Sequence, residues 1–141
     1  MEQKSRRAGL GDLLLLVFSL LYLSGILTFF APCGPKEDGS WMTCHWAGQA
    51  ALGTAVVLTV LSVVHILAKD RGIKLGLDVG MLSAAALSAL IPGRLIGLCM
   101  MPEMRCRQLT APGVTVCSVL ILAAAAADLI LQRERGKRDA L

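Results

Sequence analysis

Aromatic residues are scarce: 3 Phe, 2 Trp and 1 Tyr in 141 residues, or 4%. Strands favour aromatic and β-branched side chains, so this shortage argues against an all-β fold. Charge is sparse too, at 17%, and histidine occurs only twice. No nucleophile triad, phosphate-cradling glycine loop or acidic pair can be read along the chain, which removes the commonest hydrolase and nucleotide-binding readings. No C-x-x-C is present, and the cysteine spacings C-x10-C (Cys33, Cys44) and C-x6-C (Cys99, Cys106) are neither zinc-finger nor haem-attachment spacings.

What is abundant is aliphatic. Hydrophobic residues make up 55% of the chain and the mean hydropathy is +0.67, above the usage of soluble domains. Charge-free runs extend over 13–35, 39–68, 79–93 and 108–127. Crossing about 30 Å of hydrocarbon takes roughly 20 helical residues. The pattern therefore predicts an all-α, polytopic membrane protein: one domain, 1–141, with four transmembrane helices near 10–31, 46–68, 73–91 and 112–131, and loops 32–45 and 92–111 on the outer face. Pro32, Pro35, Pro92, Pro102 and Pro112 mark turns around these loops. Lys4, Arg6 and Arg7 precede the first run, as in a secretory signal, but that run is too long for a signal core and ends at Ala31-Pro32-Cys33 without a cleavage pattern, so it is read as a span.

Lys4, Arg6, Arg7, Lys69, Arg71, Lys74, Arg133, Arg135, Lys137 and Arg138 fall on one side, and Lys36, Arg94, Arg105 and Arg107 on the other. The positive-inside rule then places both termini in the cytoplasm of a cell membrane. The net charge of +4 reflects this topology and gives no sign of nucleic-acid binding. Small residues recur at every fourth position in helix 3 (Gly72, Gly76, Gly80, Ala84, Ser88) and helix 2 (Ala47, Ala51, Ala55, Thr59). Ser24 and Thr28 of helix 1 and Gly113, Cys117 and Ala123 to Ala127 of helix 4 add to them. Such stripes let helices pack within a bundle or between copies. Asp12, Asp78, Asp128 and His65 lie near the cytoplasmic helix ends and are expected to act as interfacial anchors rather than as a proton relay.

Chemistry concentrates on the outer face. Cys33, Cys44, Cys99 and Cys106 all fall in its two loops, which in an oxidising compartment suggests disulfides with three possible connectivities. Cys117, inside helix 4, reads as a small buried hydrophobe. Soft ligands gather in the same loops: Met42 and His45 in the first, Met100 and Met104 in the second. Thiolate and thioether suit copper(I), and imidazole serves copper, zinc and haem iron. Thr43 is expected to cap helix 2, setting His45 and Gln49 on one face where they could meet a headgroup, a quinone ring or the opposite loop. An aromatic belt of Trp41 and Trp46 around His45 is the plainer reading.

The segments Phe29-Phe30-Ala31-Pro32-Cys33, Met42-Thr43-Cys44-His45-Trp46-Ala47-Gly48-Gln49-Ala50 and Cys99-Met100-Met101-Pro102-Glu103-Met104-Arg105-Cys106 resemble a family of small bacterial four-helix membrane proteins, known only as a domain of unknown function. That resemblance covers nearly the whole chain and implies a membrane location with four helices. A looser, architectural likeness is to the membrane thiol oxidases that pass electrons to quinone, with four core helices and two outer cysteine pairs. It would make Cys33, Cys44, Cys99 and Cys106 redox-active, with Cys44 beside His45 as the activated thiol.

Three functions follow. The least demanding is a non-enzymatic membrane component, an accessory subunit of a larger membrane complex or a homo-oligomer, with disulfide-stapled outer loops in a lipid bilayer. The second is a thiol-disulfide redox protein using quinone. The third binds haem or copper through His45, Met42, Met100, Met104 or the cysteines.

Overall fold

The computed structural model describes residues 9–141, so Lys4, Arg6 and Arg7 of the charge bias lie outside the described residues. Four helices follow in order: α1 (Leu10–Leu27), α2 (Thr43–Leu67), α3 (Arg71–Leu90) and α4 (Ala111–Asp139). A π-helical turn, Cys106–Thr110, leads directly into α4. No strand occurs among the described residues. Each helix is long and apolar enough to cross a membrane.

The helices form a ring in which α1 packs on α2 and α4, and α3 packs on α2 and α4. One end, the loop end, carries segments 28–42 and 91–105. The other, the termini end, carries the start of α1, the short α2–α3 turn and the end of α4.

The helix limits depart from the hydropathy pattern for local reasons. Helix α1 stops at Leu27, four residues early, because the chain turns over Thr28–Phe30 and the Phe30 N–H donates to the Gly25 carbonyl at 2.7 Å. Helix α2 starts earlier than expected, at Thr43. Met42 holds the cap position, so Thr43 is the first helical residue and does not cap. Helix α4 runs eight residues past the expected 131, at about 1.5 Å per residue, and carries its basic end beyond the apolar stretch.

The core runs down the ring's axis. Leu15 and Tyr22 of α1, Leu58 of α2, Met81 of α3 and Ile121 of α4 are fully buried, with Ala51, Ala55, Ala85 and Ala125 filling the narrow places between them. The helix faces turned outward carry exposed apolar side chains, such as Leu13, Leu20 and Leu21 on α1, Val56, Val60 and Val63 on α2, and Val116, Val119 and Leu120 on α4. That inside-out pattern suits lipid as solvent.

Several hydroxyls bond to one another across the core. Ser19 and Ser62 share a hydrogen bond of 2.9 Å, Tyr22 and Ser88 one of 2.6 Å, and Thr54 donates to Ser88 at 3.1 Å. These bonds tie α1 to α2, α1 to α3 and α2 to α3.

The small-residue stripes divide. On α2, Ala47, Ala51 and Ala55 are buried as expected, but the face continues through Leu58, while Thr59 is half-buried. On α3 the buried face is Asp78, Met81, Ala85 and Ser88. Gly72, Gly76 and Gly80 point out of the bundle, and a Cβ added at any of them would meet open space. Ser24 and Thr28 are likewise exposed, because α1 turns Asp12, Leu15, Ser19, Tyr22 and Ile26 inward.

Candidate functional site

At the loop end, three separate pieces of chain bring sulfur together. Pro32 lies flat on α2 at Gly48, where a Cβ would sit 2.5 Å from the proline Cγ. That close approach delivers the next residue, Cys33, to the first turn of α2, where Cys44 is fully buried. Cys106 opens the π-helical turn ahead of α4 and is also fully buried. The wide turn is closed by the Ala111 N–H donating to the Cys106 carbonyl, and Pro112, which has no N–H to give, follows directly.

The sulfurs of Cys33, Cys44 and Cys106 all lie within 4.8 Å of one another. Cys99, from the segment after α3, places its thiol 3.4 Å from the Cys44 Sγ and 4.0 Å from the thioether sulfur of Met42. All five cysteines are free thiols in the structure, and Cys117 sits half-buried in α4 against the core.

The other residues singled out by sequence stand apart from this sulfur group. His45 stacks on Trp41 with ring centroids 4.0 Å apart and meets Trp46 edge-on at 5.6 Å. Gln49 is exposed, one turn along α2. Met100 is 94% exposed, and Met104 is half-buried, two residues before the π-helical turn. A shallow, open cleft of about 530 Å³ beside them is lined by Pro35, Lys36, Glu37, Asp38 and Met42, with neither His45 nor a cysteine in its wall.

The termini end holds a second group that sequence reasoning took for anchors. Instead of facing the headgroups separately, Asp12, His65, Asp78 and Asp128 turn inward and converge, one from each helix. The fully buried imidazole of His65 is central: its Nδ1 is 3.1 Å from Asp12 Oδ1, and its Nε2 is 3.0 Å from Asp78 Oδ1 and 3.4 Å from Asp128 Oδ2. Lys74 donates to Asp12 Oδ2 at 2.8 Å, as does the Gly9 N–H at 3.1 Å. Gln132, not noticed in the sequence, donates from Nε2 to Asp78 at 3.2 Å and to Asp128 at 2.5 Å. Gly11 makes room for this: a Cβ there would sit 2.6 Å from Asp128 Oδ1.

A signal for this convergence does exist in the sequence. His65 follows Leu58 and Ser62 at steps of four and three, and Asp78 precedes Met81, Ala85 and Ser88 in the same rhythm. Both therefore share a helical face with core residues.

The loop-end cysteines, His65, Asp78 and Asp128 all fall within residues 15–131, which match the sequence profile of a domain of unknown function, DUF4418. The chain belongs to the DUF4418 family. No curated protein and no solved structure matches it. Membership agrees with the resemblance drawn from the loop motifs and assigns no activity, so function has to be read from the two clusters themselves.

Proposed function

We propose that this DUF4418 protein is a non-enzymatic membrane component that binds a soft metal ion, Cu(I), through Cys33, Cys44, Cys99 and Cys106, with Met42 beside them. The observation that carries this is the convergence of sulfur: three thiols mutually within 4.8 Å and a fourth 3.4 Å from one of them. Thiolates about 2.3 Å from a metal in tetrahedral array lie roughly 3.8 Å from one another, so closing on an ion asks for small side-chain adjustments. A structural staple needs only pairs, whereas a metal needs several ligands aimed at one point. The Met42 thioether favours Cu(I) over Zn(II), since thioether is a soft ligand.

Burial also bears on the redox reading. A thiol that exchanges with a protein partner must be reached by it, and Cys44, the thiol expected to attack, is fully buried. His45, engaged with two tryptophans, gives the site an aromatic rim rather than a ligand.

In this reading the protein sits in a cell membrane with both termini cytoplasmic, as the Lys and Arg distribution favours, and the sulfur site opens to the outer side. The open glycine face of α3 (Gly72, Gly76, Gly80) leaves room for another helix, which supports a role as a subunit. The test is metal analysis of the full-length protein, extracted anaerobically with reductant and titrated with Cu(I) against a chromophoric competitor. One Cu(I) per chain is expected, with loss of binding in Cys44→Ser and Cys106→Ser. If intact-mass alkylation instead finds Cys44 and Cys99 already joined in unreduced protein, and no Cu(I) is taken up after reduction, the stapled-component reading replaces this one.

A further inference from the structure

The cluster at the termini end has the composition of a second, chemically different cation site. Among the described residues it gathers three carboxylates, Asp12 and Asp78 buried and Asp128 partly exposed, against one ammonium, Lys74. A neutral imidazole leaves two negative charges uncompensated, and a protonated one leaves one. Unbalanced charge inside a bilayer-spanning bundle is strongly unfavourable, so a positive partner, a proton or a metal ion, is called for.

The geometry says which kind. The two nitrogens of His65 have different neighbours. Nδ1 faces Asp12, whose other oxygen is held by Lys74 and by the Gly9 N–H. A small rotation of the ring would turn its Nδ1–H onto Asp12, the usual outer support for a histidine whose other nitrogen holds a metal. Nε2 faces Asp78 and Asp128, at 3.0 and 3.4 Å. Ligand atoms about 2.05 Å from a tetrahedral ion lie roughly 3.3 Å apart, close to these separations.

A second observation points to a missing ligand. His65 is fully buried, yet neither ring nitrogen has a properly directed hydrogen bond, and the Gln132 side-chain oxygen, in a residue 8% exposed, has no partner. A carboxamide that turns over presents that oxygen to the same point as Asp78 and Asp128.

We infer that His65 Nε2, Asp78, Asp128 and Gln132 form a binding site for a divalent first-row transition cation, with Asp12, whose carboxylate lies within 4.8 Å of the His65 and Asp128 ligand atoms, held at its edge by Lys74. The charges then close: the cation balances Asp78 and Asp128, and Lys74 balances Asp12. Two carboxylates, an amide oxygen and one imidazole suit Mn(II), Fe(II) or Zn(II) and not Cu(I), so the two ends of the bundle would sort metals by ligand softness.

Mn(II) is the probe, because thiols bind it poorly. Full-length protein in detergent micelles is titrated with Mn(II), and free ion is read by its electron paramagnetic resonance signal. One Mn(II) per chain is expected, with binding unaltered in Cys44→Ser and abolished in the near-isosteric Asp78→Asn and Asp128→Asn. Asp12→Asn is expected to weaken it by about 10–100-fold, the usual effect of losing such support. A measurement on the unaltered chain guards against misfolded variants: bound Co(II) should show oxygen and nitrogen ligand-field bands without thiolate charge transfer in protein whose outer thiols are already occupied by Cu(I). Absence of Mn(II) and Co(II) binding in the folded wild type overturns the proposal, as does proton uptake on acidification with no metal bound at neutral pH, or binding that persists in Asp78→Asn/Asp128→Asn.

Discussion

Replacing Gly48 with alanine should damage the sulfur site while leaving the bundle folded. The added Cβ would lie 2.5 Å from Pro32 Cγ, 2.9 Å from its Cβ and 3.0 Å from its Cδ. Carbon atoms rest at about 3.5–4.0 Å, so the proline ring must retreat by roughly 1 Å. Cys33 is bonded to that proline and must move with it. A binding constellation holds its geometry within about 0.5 Å, so a displacement of this size takes the Cys33 thiol out of reach of a shared ion. Overpacking of this kind costs roughly 1–3 kcal/mol, which a four-helix bundle can absorb. The matching control lies one turn and a residue further along α2: an alanine at Gly53 would meet nothing within 4 Å. Competition titration with Cu(I), run beside circular dichroism, should give at least tenfold weaker binding in Gly48→Ala with the helical signal intact, and wild-type binding in Gly53→Ala. Equal affinity in Gly48→Ala and the wild type would refute the argument that Pro32 seated on Gly48 positions Cys33.

Other expectations follow from the interior polar groups and from one surface turn. Tyr22→Phe removes the 2.6 Å bond to Ser88 but leaves Ser88 its partner Thr54, so thermal unfolding in detergent should show a loss of only about 0.5–1.5 kcal/mol. His65→Leu strips the shared partner from three carboxylates and should cost roughly 3–5 kcal/mol in the same assay, whereas Asp78→Asn, which removes one charge of the excess, should cost less. At the loop end, Asp38 Oδ1 accepts from the Ser40 hydroxyl at 2.6 Å and from the Ser40 N–H at 2.9 Å, and these bonds hold its carboxyl below the ordinary range. A depressed folded-state pKa means that the turn's contribution is complete above the usual carboxylate pKa and is lost as pH falls through the lower value. Titration of Asp38 by NMR should show a rise toward the ordinary value in Ser40→Ala, and an unchanged midpoint would remove the hydroxyl's role.

The four helices were legible because a bilayer imposes its length on any apolar run, and the runs are separated by charge. Their ends were less so. The early stop of α1 depends on the Phe30 N–H reaching back to Gly25, and the long α4 on helix that continues through Arg133 to Arg138 after hydropathy has ended. The cysteines could be assigned to one end from sequence, but their convergence rests on the fit of Pro32 to Gly48 and on the wide turn at Cys106, neither of which leaves a periodic trace. Depth along the helix led Asp12, His65, Asp78 and Asp128 to be read as surface anchors. Their angular position was the stronger signal, because each shares a face with buried alanine, serine or leucine. The glycine stripe of α3 left two readings open, packing within the bundle or between copies, and α3 packs within this bundle through Met81, Ala85 and Ser88 instead, leaving the stripe open.

Copper K-edge X-ray absorption on the Cu(I)-loaded, full-length protein tests the central claim most directly. The sulfur cluster predicts a first shell made of sulfur alone, three to four atoms at roughly 2.3 Å, as expected for thiolates. A shell containing imidazole nitrogen would move the site to His45, and an ion with fewer than two sulfur neighbours would contradict a shared centre built from Cys33, Cys44, Cys99 and Cys106.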